Sequence, residues 1–213
     1  MEIVKYIKEG DLKKVEEACS SQDFKPDCKI NEFSYLWIAI NGTDGRPKHI
    51  VTDYPNFKIV EHLLKKGCDP NGSFARMSLL YVALYHHRLD IGRLLLIYDA
   101  DPNKSSIIRT VSHLKRVICQ VPLDIALERG DIMMTKLLVS NGAIYNKITI
   151  KKIKMKIKNE ATKNSDEYNN FNKILKYLKV MYRPYFEDNV DDIKEQNILK
   201  AYSCYFPYFD LDW

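Results

Sequence analysis

Short apolar stretches recur along the first two thirds of the chain with the spacing of one helical face. In residues 57–71 and 89–103, apolar side chains occupy the first, third, seventh and eighth positions, and both segments end in Asp-Pro-Asn. Residues 132–146 keep apolar residues in the same four positions. Because such positions lie on one side of a helix, each segment predicts one short helix with an apolar inner face.

A shorter apolar segment precedes each of these copies. The three segments begin at Ser34, Ser78 and Val121, and each has Leu two residues and Ala five residues after its first position. The repeated unit is therefore predicted to be a pair of helices. A pair this short cannot bury its apolar face alone, whereas stacked copies form one continuous core. Gly67 and Gly142 follow the second helix, where we expect a left-handed backbone.

The chain departs from this repeat in the middle and at its start. About twelve extra residues fall around Gly42 to Pro55, and Lys104 to Gln120 is an insertion that we expect to lengthen a hairpin between the second and third repeats. Such insertions either add to a binding face or are tolerated variations in loop length. Residues 1–30 are predicted to form a partial capping repeat, in which Met1 to Lys8 make a polar-faced first helix.

The repeat stops after Asn146. Lys147 to Lys158 alternates isoleucine with lysine, which fits either a strand or a basic linker. From Tyr168 onward, apolar residues at helical spacing predict a helix that packs on the last repeat and ends before Pro184; they are Phe171, Ile174, Leu175 and Leu178. Asp188 to Tyr202 could form one more helix.

The repeats resemble the ankyrin-repeat family. Val121-Pro122-Leu123-Asp124 and Ala100-Asp101-Pro102-Asn103 match the opening and the close of that family's unit best. The resemblance implies an all-α fold: an ankyrin-repeat solenoid of helix-turn-helix units with hairpin-like fingers, here followed by a C-terminal helical cap. The predicted domains are an ankyrin-repeat domain at 1–146 (a capping repeat at 1–30 and repeats at about 31–71, 72–103 and 104–146) and a helical extension at 147–213.

The resemblance also implies a binding face, made by finger tips and first helices. Aromatic, methionine and arginine side chains at such positions are common anchors of protein interfaces. Leu79 and Met77 could instead seal neighbouring fingers. The partner-binding residues predicted by their offset from each repeat's opening are Glu32, Phe33, Tyr35, Arg76, Met77, Leu79, His87, Arg88 and Gln120.

Charge and motifs narrow the classes of function. The net charge of +5 is mild, and only two of the predicted face residues are arginines, so nucleic acid is an unlikely partner. The five cysteines are scattered and predict free thiols; His86 and His87 are adjacent, so they do not share a metal. Catalytic motifs are missing, including a phosphate-binding glycine loop and a Gly-x-Ser-x-Gly turn. We expect no catalytic residue, metal site, cofactor or small-molecule substrate.

Two further features bear on partners and location. Residues 187–213 carry seven acidic residues and two lysines, opposite in sign to the lysine-rich segment at 147–158, which suggests docking within the chain as readily as an external partner. The closing aromatic residues fit a core plug or an adhesive peptide. Apolar runs are too short to span a bilayer, and we expect no export signal and no membrane insertion.

The sequence predicts a non-enzymatic protein-interaction module in the cytoplasm. One alternative is an enzyme or effector with its activity in the C-terminal extension, and another is a nucleic-acid binder. Abundant Lys, Ile, Asn and Tyr are typical of AT-rich genomes, which favours a viral or intracellular-bacterial factor that acts on a host protein in the host cytoplasm. The identity of the partner and the oligomeric state do not follow from the sequence, because one fold serves many ligands.

Overall fold

In a computed structural model, the described part of the chain is mostly helical and contains three small two-stranded hairpins. The chain divides into two compact units, residues 1–106 and 107–213. This division does not test the predicted end of the repeats at residue 146, which stays a prediction. The residues that the structure describes are 2–30, 33–41, 57–74, 76–111, 116–145, 147–159 and 165–186.

The first unit contains three helix pairs and two hairpins. Its helices are α1 (Glu2–Glu9), α2 (Leu12–Cys19), α3 (Tyr35–Asn41), α4 (Phe57–Lys65), α5 (Leu79–Tyr85) and α6 (Leu89–Ile97). Its strands are β1 (Lys29–Ile30), β2 (Phe33–Ser34), β3 (Ser73–Phe74) and β4 (Met77–Ser78), and they pair antiparallel as β1–β2 and β3–β4.

The second unit begins with a longer hairpin. Its elements are β5 (Ser106–Val111, which starts on the last residue of the first unit), β6 (Arg116–Gln120), α7 (Pro122–Glu128), α8 (Ile132–Ser140), α9 (Lys147–Asn159) and α10 (Asp166–Phe186). The extra residues after the second repeat therefore lengthen this hairpin, as predicted. The insertion around 42–55 lies outside the described residues.

The predicted helix pairs are present, and their cores follow the predicted spacing. The third and seventh positions of each second-helix segment are almost completely buried: Ile59 and Leu63, Ile91 and Leu95, Met134 and Leu138. The alanines of the first helices, Ala39, Ala83 and Ala126, are buried as well. Pair by pair, α3 packs on α4, α5 on α6 and α7 on α8, while α1 packs on α2.

Left-handed residues recur at fixed places beside the second helices of the described pairs. The residue two positions before a second helix has φ of 72° at Gly10, 59° at His87 and 64° at Gly130. The residue two positions after a second helix has φ of 88° at Gly67, 64° at Asp99 and 86° at Gly142. The expectation for Gly67 and Gly142 is confirmed. Packing of the pairs imposes this conformation, since His87 and Asp99 adopt it despite its cost for residues with a side chain.

Short polar side chains fix where the helices begin. The carboxylates of Asp11 and Asp131 accept hydrogen bonds from the backbone N–H groups of Lys14 (3.2 Å) and Met134 (2.9 Å), so they cap α2 and α8. Ser78 Oγ accepts from the Tyr81 N–H at 3.2 Å and caps α5 in the same way.

The Asp-Pro-Asn segments are turns whose geometry repeats. The carboxylate oxygen of Asp69 accepts from the Asn71 N–H, and that of Asp101 accepts from the Asn103 N–H, each at 2.8 Å. The Asn71 side chain then joins the two turns: its Nδ2 donates to the Asp99 carbonyl (3.0 Å) and its Oδ1 accepts from the Asp101 N–H (2.7 Å). This asparagine ties one turn to the next.

Residues 147–158 correct the sequence-based expectation of a strand or linker. They form most of helix α9. Ile153 is buried and Ile150 and Ile157 are half-buried, whereas Met155 is 54% exposed. In a strand, Met155 would share a face with Ile153. The isoleucine–lysine alternation also contains the i, i+3, i+7 spacing of a helix, and burial of that stripe decides between the two.

The helix predicted from Tyr168 onward is α10, which packs on α8 and α9 and buries Phe171, Ile174 and Leu178. The expectation that it ends before Pro184 is wrong, since α10 continues to Phe186. Pro184 lies in the last turn, where its missing N–H costs a single hydrogen bond of a long, packed helix. The further helix considered at Asp188 to Tyr202 lies outside the described residues.

Leu95→Ala tests the core of the helix pairs. We expect the free energy of unfolding to fall by about 2–5 kcal/mol, because the fully buried side chain leaves a cavity. Ile97→Ala, in the same helix but at a side chain that is 68% exposed, should change it by less than about 0.5 kcal/mol. Denaturant unfolding measures both, and equal effects would mean that the repeat register is wrong.

Gly130→Ala and Gly142→Ala separate backbone strain from close packing. Both residues have positive φ, so each substitution should cost about 1–2 kcal/mol. A methyl group at Gly130 would also lie 3.3 Å from Phe171 Cζ, whereas at Gly142 it would meet no atom within 4 Å. We therefore expect the larger loss of thermal stability for Gly130→Ala. Equal losses would contradict the contact between α10 and the turn before α8.

Candidate protein-interaction surface

The hairpins of the first unit bring an aromatic cluster together. The ring centroids of Phe33 and Phe74 are 4.1 Å apart, and those of Trp37 and Phe74 are 5.2 Å apart. Trp37 is completely buried, while Phe33 and Phe74 are half-buried at the edge of the cluster. Such ring pairs contribute about 0.5–1.5 kcal/mol beyond area burial, so the cluster fastens the β1–β2 hairpin to the β3–β4 hairpin.

Arg76 and Met77 lie next to this cluster. Arg76 is exposed in the turn between β3 and β4, with a φ of 64° that is uncommon for a residue with a side chain. Met77 is half-buried and pairs across the hairpin with Phe74. An arginine, a methionine and two phenylalanines are thus partly accessible on adjacent hairpins. We call Phe33, Phe74, Arg76 and Met77 the hairpin surface.

Two of the residues predicted to bind a partner lie in the core. Leu79 is completely buried at the start of α5, in keeping with the sealing role that the sequence left open. Tyr35 is 7% exposed at the start of α3, where its ring stacks on Phe24 with centroids 5.8 Å apart. Neither side chain can contact a partner without leaving the core. The surface available for binding is therefore smaller than the sequence predicted.

His87 and Arg88 lie at the other end of α5 from the hairpin. The helix is seven residues long, so about 10 Å separates its two ends. His87 is exposed at the left-handed turn position, and Arg88 donates to Asp90 through Nε (3.0 Å) and a terminal nitrogen (2.8 Å). That guanidinium holds the pKa of the Asp90 carboxyl below its usual value. These two residues are not gathered with the hairpin surface.

The remaining predicted residues are Gln120 and Glu32. Gln120 ends β6 in the second unit and donates from Nε2 to the Glu128 carboxylate at 2.6 Å. Glu32 lies outside the described residues. The sequence analysis missed Phe74, which completes the cluster. The signal for it was available, since Phe74 is the single aromatic residue between the Asp-Pro-Asn turn at 69–71 and α5.

Burial keeps three of the described thiols, those of Cys19, Cys68 and Cys119, in the protonated form at neutral pH. Burial raises the pKa of Cys19 to about 11 and that of Cys68 to about 12, and it also raises the pKa of Cys119. A thiol, unlike a thiolate, is a poor nucleophile. His113, which stands six positions before Cys119, lies outside the described residues.

The described ranges contain no group of three or more His, Cys, Asp or Glu side chains placed to hold a metal ion. His86 Nε2 is 3.2 Å from the Asn41 side-chain oxygen, while its neighbour His87 is exposed. None of the helices described above is both long and apolar enough to cross a membrane.

Comparison with known proteins finds a local similarity. No family model matches the chain, and no solved structure matches it. Over 50 residues, 22% of this chain, it is 42% identical to a protein of Rickettsia bellii (strain RML369-C) described as "Putative ankyrin repeat protein". The matched stretch spans 6% of that protein. The similarity suggests a relation to ankyrin repeats over part of the chain.

The buried Tyr35 and Cys68 predict a loss of stability at high pH. Burial, followed by a hydrogen bond with Cys28, raises the pKa of Tyr35 from 10.0 to about 12, and burial raises that of Cys68 from 9.0 to about 12. The unfolded chain therefore loses these protons first. The stability that they contribute is present below pH 9 and is lost as pH rises toward 12.

Denaturant unfolding between pH 8 and pH 12 should show this decline, at up to about 1.4 kcal/mol per pH unit for each proton. In the Tyr35→Phe variant, the free energy of unfolding should fall less steeply between pH 10 and pH 12 than in the wild type, because the titrating phenol is absent. The same slope in both proteins would contradict the burial of the Tyr35 hydroxyl.

Proposed function

We propose that the chain is an ankyrin-type solenoid that binds a partner protein through the hairpin surface. Support for the solenoid comes from the repeated geometry: the same two core positions in α4, α6 and α8, and left-handed residues at the same places beside several second helices. The local similarity to the Rickettsia bellii protein agrees with it. Proteins built from stacked helix pairs use such extended surfaces for binding.

The observation that carries the proposal is the position of Arg76. Its backbone is held in a left-handed conformation at an exposed turn, between β3, which ends with the half-buried Phe74, and β4, which begins with Met77. Arginine, methionine and aromatic residues are enriched at the centres of protein interfaces. The two hairpins are joined by the ring contact, so the surface is organised before a partner arrives and loses little conformational entropy on binding.

The proposed activity is binding without catalysis or a cofactor. A nucleophilic mechanism needs an activated group, and the raised thiol pKa values of Cys19, Cys68 and Cys119 argue against a thiolate among them. The described part of the C-terminal extension, α9 and α10, contains lysine, tyrosine and two carboxylates but no histidine or cysteine. This composition favours a structural or electrostatic role for the extension.

The partner that we propose is a protein of a host cell, met in the host cytoplasm. The chain's composition is typical of AT-rich genomes, which include intracellular bacteria and large DNA viruses. The similar protein belongs to the bacterium Rickettsia bellii. A factor that acts on host proteins fits both observations.

Arg76→Ala with Met77→Ala tests the hairpin surface. Tagged full-length protein is incubated with host-cell extract, and the captured proteins are quantified by mass spectrometry. We expect the double substitution to lower capture of the specific partner by about tenfold or more, equal to ~1.4 kcal/mol of binding energy. Circular dichroism and thermal melting should remain as in the wild type, since neither side chain belongs to the core.

The matched control is Arg93→Ala with Ile97→Ala, which removes one arginine and one apolar side chain from the exposed face of α6. It should capture the same proteins as the wild type. Loss of capture in this control, with normal capture in the hairpin variant, would place binding on the helices and reject the proposal. Capture that is unchanged in both variants would reject it too.

A further inference from the structure

The second unit carries a concentration of lysines that the proposed binding function does not use. Helix α9 has six lysines and no acidic residue, and α10 has Lys173, Lys176 and Lys179 beyond the two carboxylates of its first turn. Residues 107–186 contain sixteen Lys and Arg against six Asp and Glu. The mild net charge of the whole chain hides this strongly basic segment.

Three lysines of this unit make contacts within it. Lys152 Nζ is 3.8 Å from an Asp124 carboxylate oxygen. Lys156 Nζ donates to the Glu128 carbonyl at 3.3 Å and lies 5.7 Å from the centroid of the Phe171 ring. Lys136 Nζ lies 5.8 Å from the centroid of the Tyr177 ring. These contacts join α9 to α7 and α10 to α8, so these lysines have structural roles.

Six other lysines are exposed, and none of them pairs with a carboxylate of the described residues; they are Lys151, Lys154, Lys158, Lys173, Lys176 and Lys179. We call these six the lysine surface. On α9 the three lysines follow i, i+3, i+7 spacing and lie opposite the buried Ile153. On α10 they follow i, i+3, i+6 spacing. Neighbours in each stripe are about 5–6 Å apart, close enough to repel one another.

The next segment of the chain has the opposite charge. Residues 187–213 follow α10 directly and carry seven acidic residues and two lysines, a net charge of −5. Lys179, the last lysine of the α10 stripe, lies seven residues, or about 10 Å, before the end of that helix. A segment of 27 residues can extend to about 90 Å, so its carboxylates can reach every lysine of the stripe.

We propose that the acidic C-terminal segment, residues 187–213, binds the lysine surface of its own chain and covers it. Attraction between the two charges opposes the repulsion within each stripe. The covalent link keeps the effective concentration of the acidic segment near the millimolar range, which makes even a weak electrostatic contact populated. Aromatic residues of the segment would add apolar contacts beside the exposed Met155 and Val180. A polyanion such as nucleic acid would meet an occupied surface.

Protease sensitivity of the full-length chain tests this contact. Chymotrypsin cleaves after aromatic residues, and Tyr202, Tyr205 and Phe206 lie in the acidic segment. Replacing the six lysines of the lysine surface by glutamine should speed cleavage there by about tenfold, since binding that protects nine chains in ten corresponds to ~1.4 kcal/mol. In the wild type, 1 M salt should have the same effect, because it shortens the Debye length from about 10 Å at 0.1 M to about 3 Å.

The matched control replaces Lys13, Lys25 and Lys58, three exposed lysines of the first unit, by glutamine. It should leave the cleavage rate as in the wild type. Two further variants each replace the three lysines of one stripe by glutamine, so the test remains valid if the variant with six substitutions fails to fold. Circular dichroism checks that each protein is folded. Equal cleavage in wild type, stripe variants and control would overturn the proposal.

A second measurement distinguishes an open surface from a covered one. The seven acidic residues of the segment are changed to asparagine or glutamine, and binding of a labelled DNA duplex is followed by fluorescence anisotropy at 0.1 M salt. We expect the neutralised chain to bind the duplex at least tenfold more tightly than the wild type, because the lysines are uncovered. Equal binding by both proteins would mean that the lysine surface is free in the wild type and would overturn the proposal.

Discussion

Helices of seven to nine residues are unstable alone in water, so this fold depends on the apolar positions that neighbouring helices share. Ile91 and Leu95 illustrate the constraint. Both are completely buried, and they lie one helical turn apart, so they form one continuous apolar face of α6. If α6 rotated about its axis, this apolar face would become exposed to solvent. The direction of each helix, and the turn that precedes it, follow from this packing.

The turns show how strongly packing controls the backbone. Glycine occupies the left-handed position before α2 and α8, whereas histidine occupies it before α6. The helix pairs supply enough stability to hold His87 in a conformation that costs a residue with a side chain about 1–2 kcal/mol. The same reasoning applies to Asp99 and, at the hairpin, to Arg76. The fold therefore determines the backbone conformation at His87, Asp99 and Arg76, and with it the direction in which each side chain leaves the backbone.

The sequence predicted the helix pairs well because their signal is periodic and repeated. It predicted the exposure of the candidate surface residues less well, because offset from the start of a repeat does not report burial. Tyr35 and Leu79 follow their hairpins at equivalent places, and both turn inward as the first helix begins. Phe74 stands out locally as the single aromatic residue before α5, but its contact with Phe33, about forty residues earlier, does not follow from any local pattern. The secondary structure of α9 was ambiguous in the sequence, because an alternating pattern of isoleucine and lysine also contains helical spacing. Tertiary packing, which buries Ile153, favours the helix.

Charge along the second unit adds a constraint of a different kind. Apolar packing specifies α9 through Ile153 and α10 through Ile174 and Leu178, but it leaves the opposite faces of both helices to solvent. Lysines occupy these faces, and neighbouring like charges repel one another along each stripe. Lys152 and Lys156 lie outside the stripes; they contact Asp124 and the Glu128 carbonyl, and these contacts hold α9 against α7. The six stripe lysines have no such carboxylate partner among the described residues, and the largest group of acidic residues near them in the sequence is the segment that follows α10.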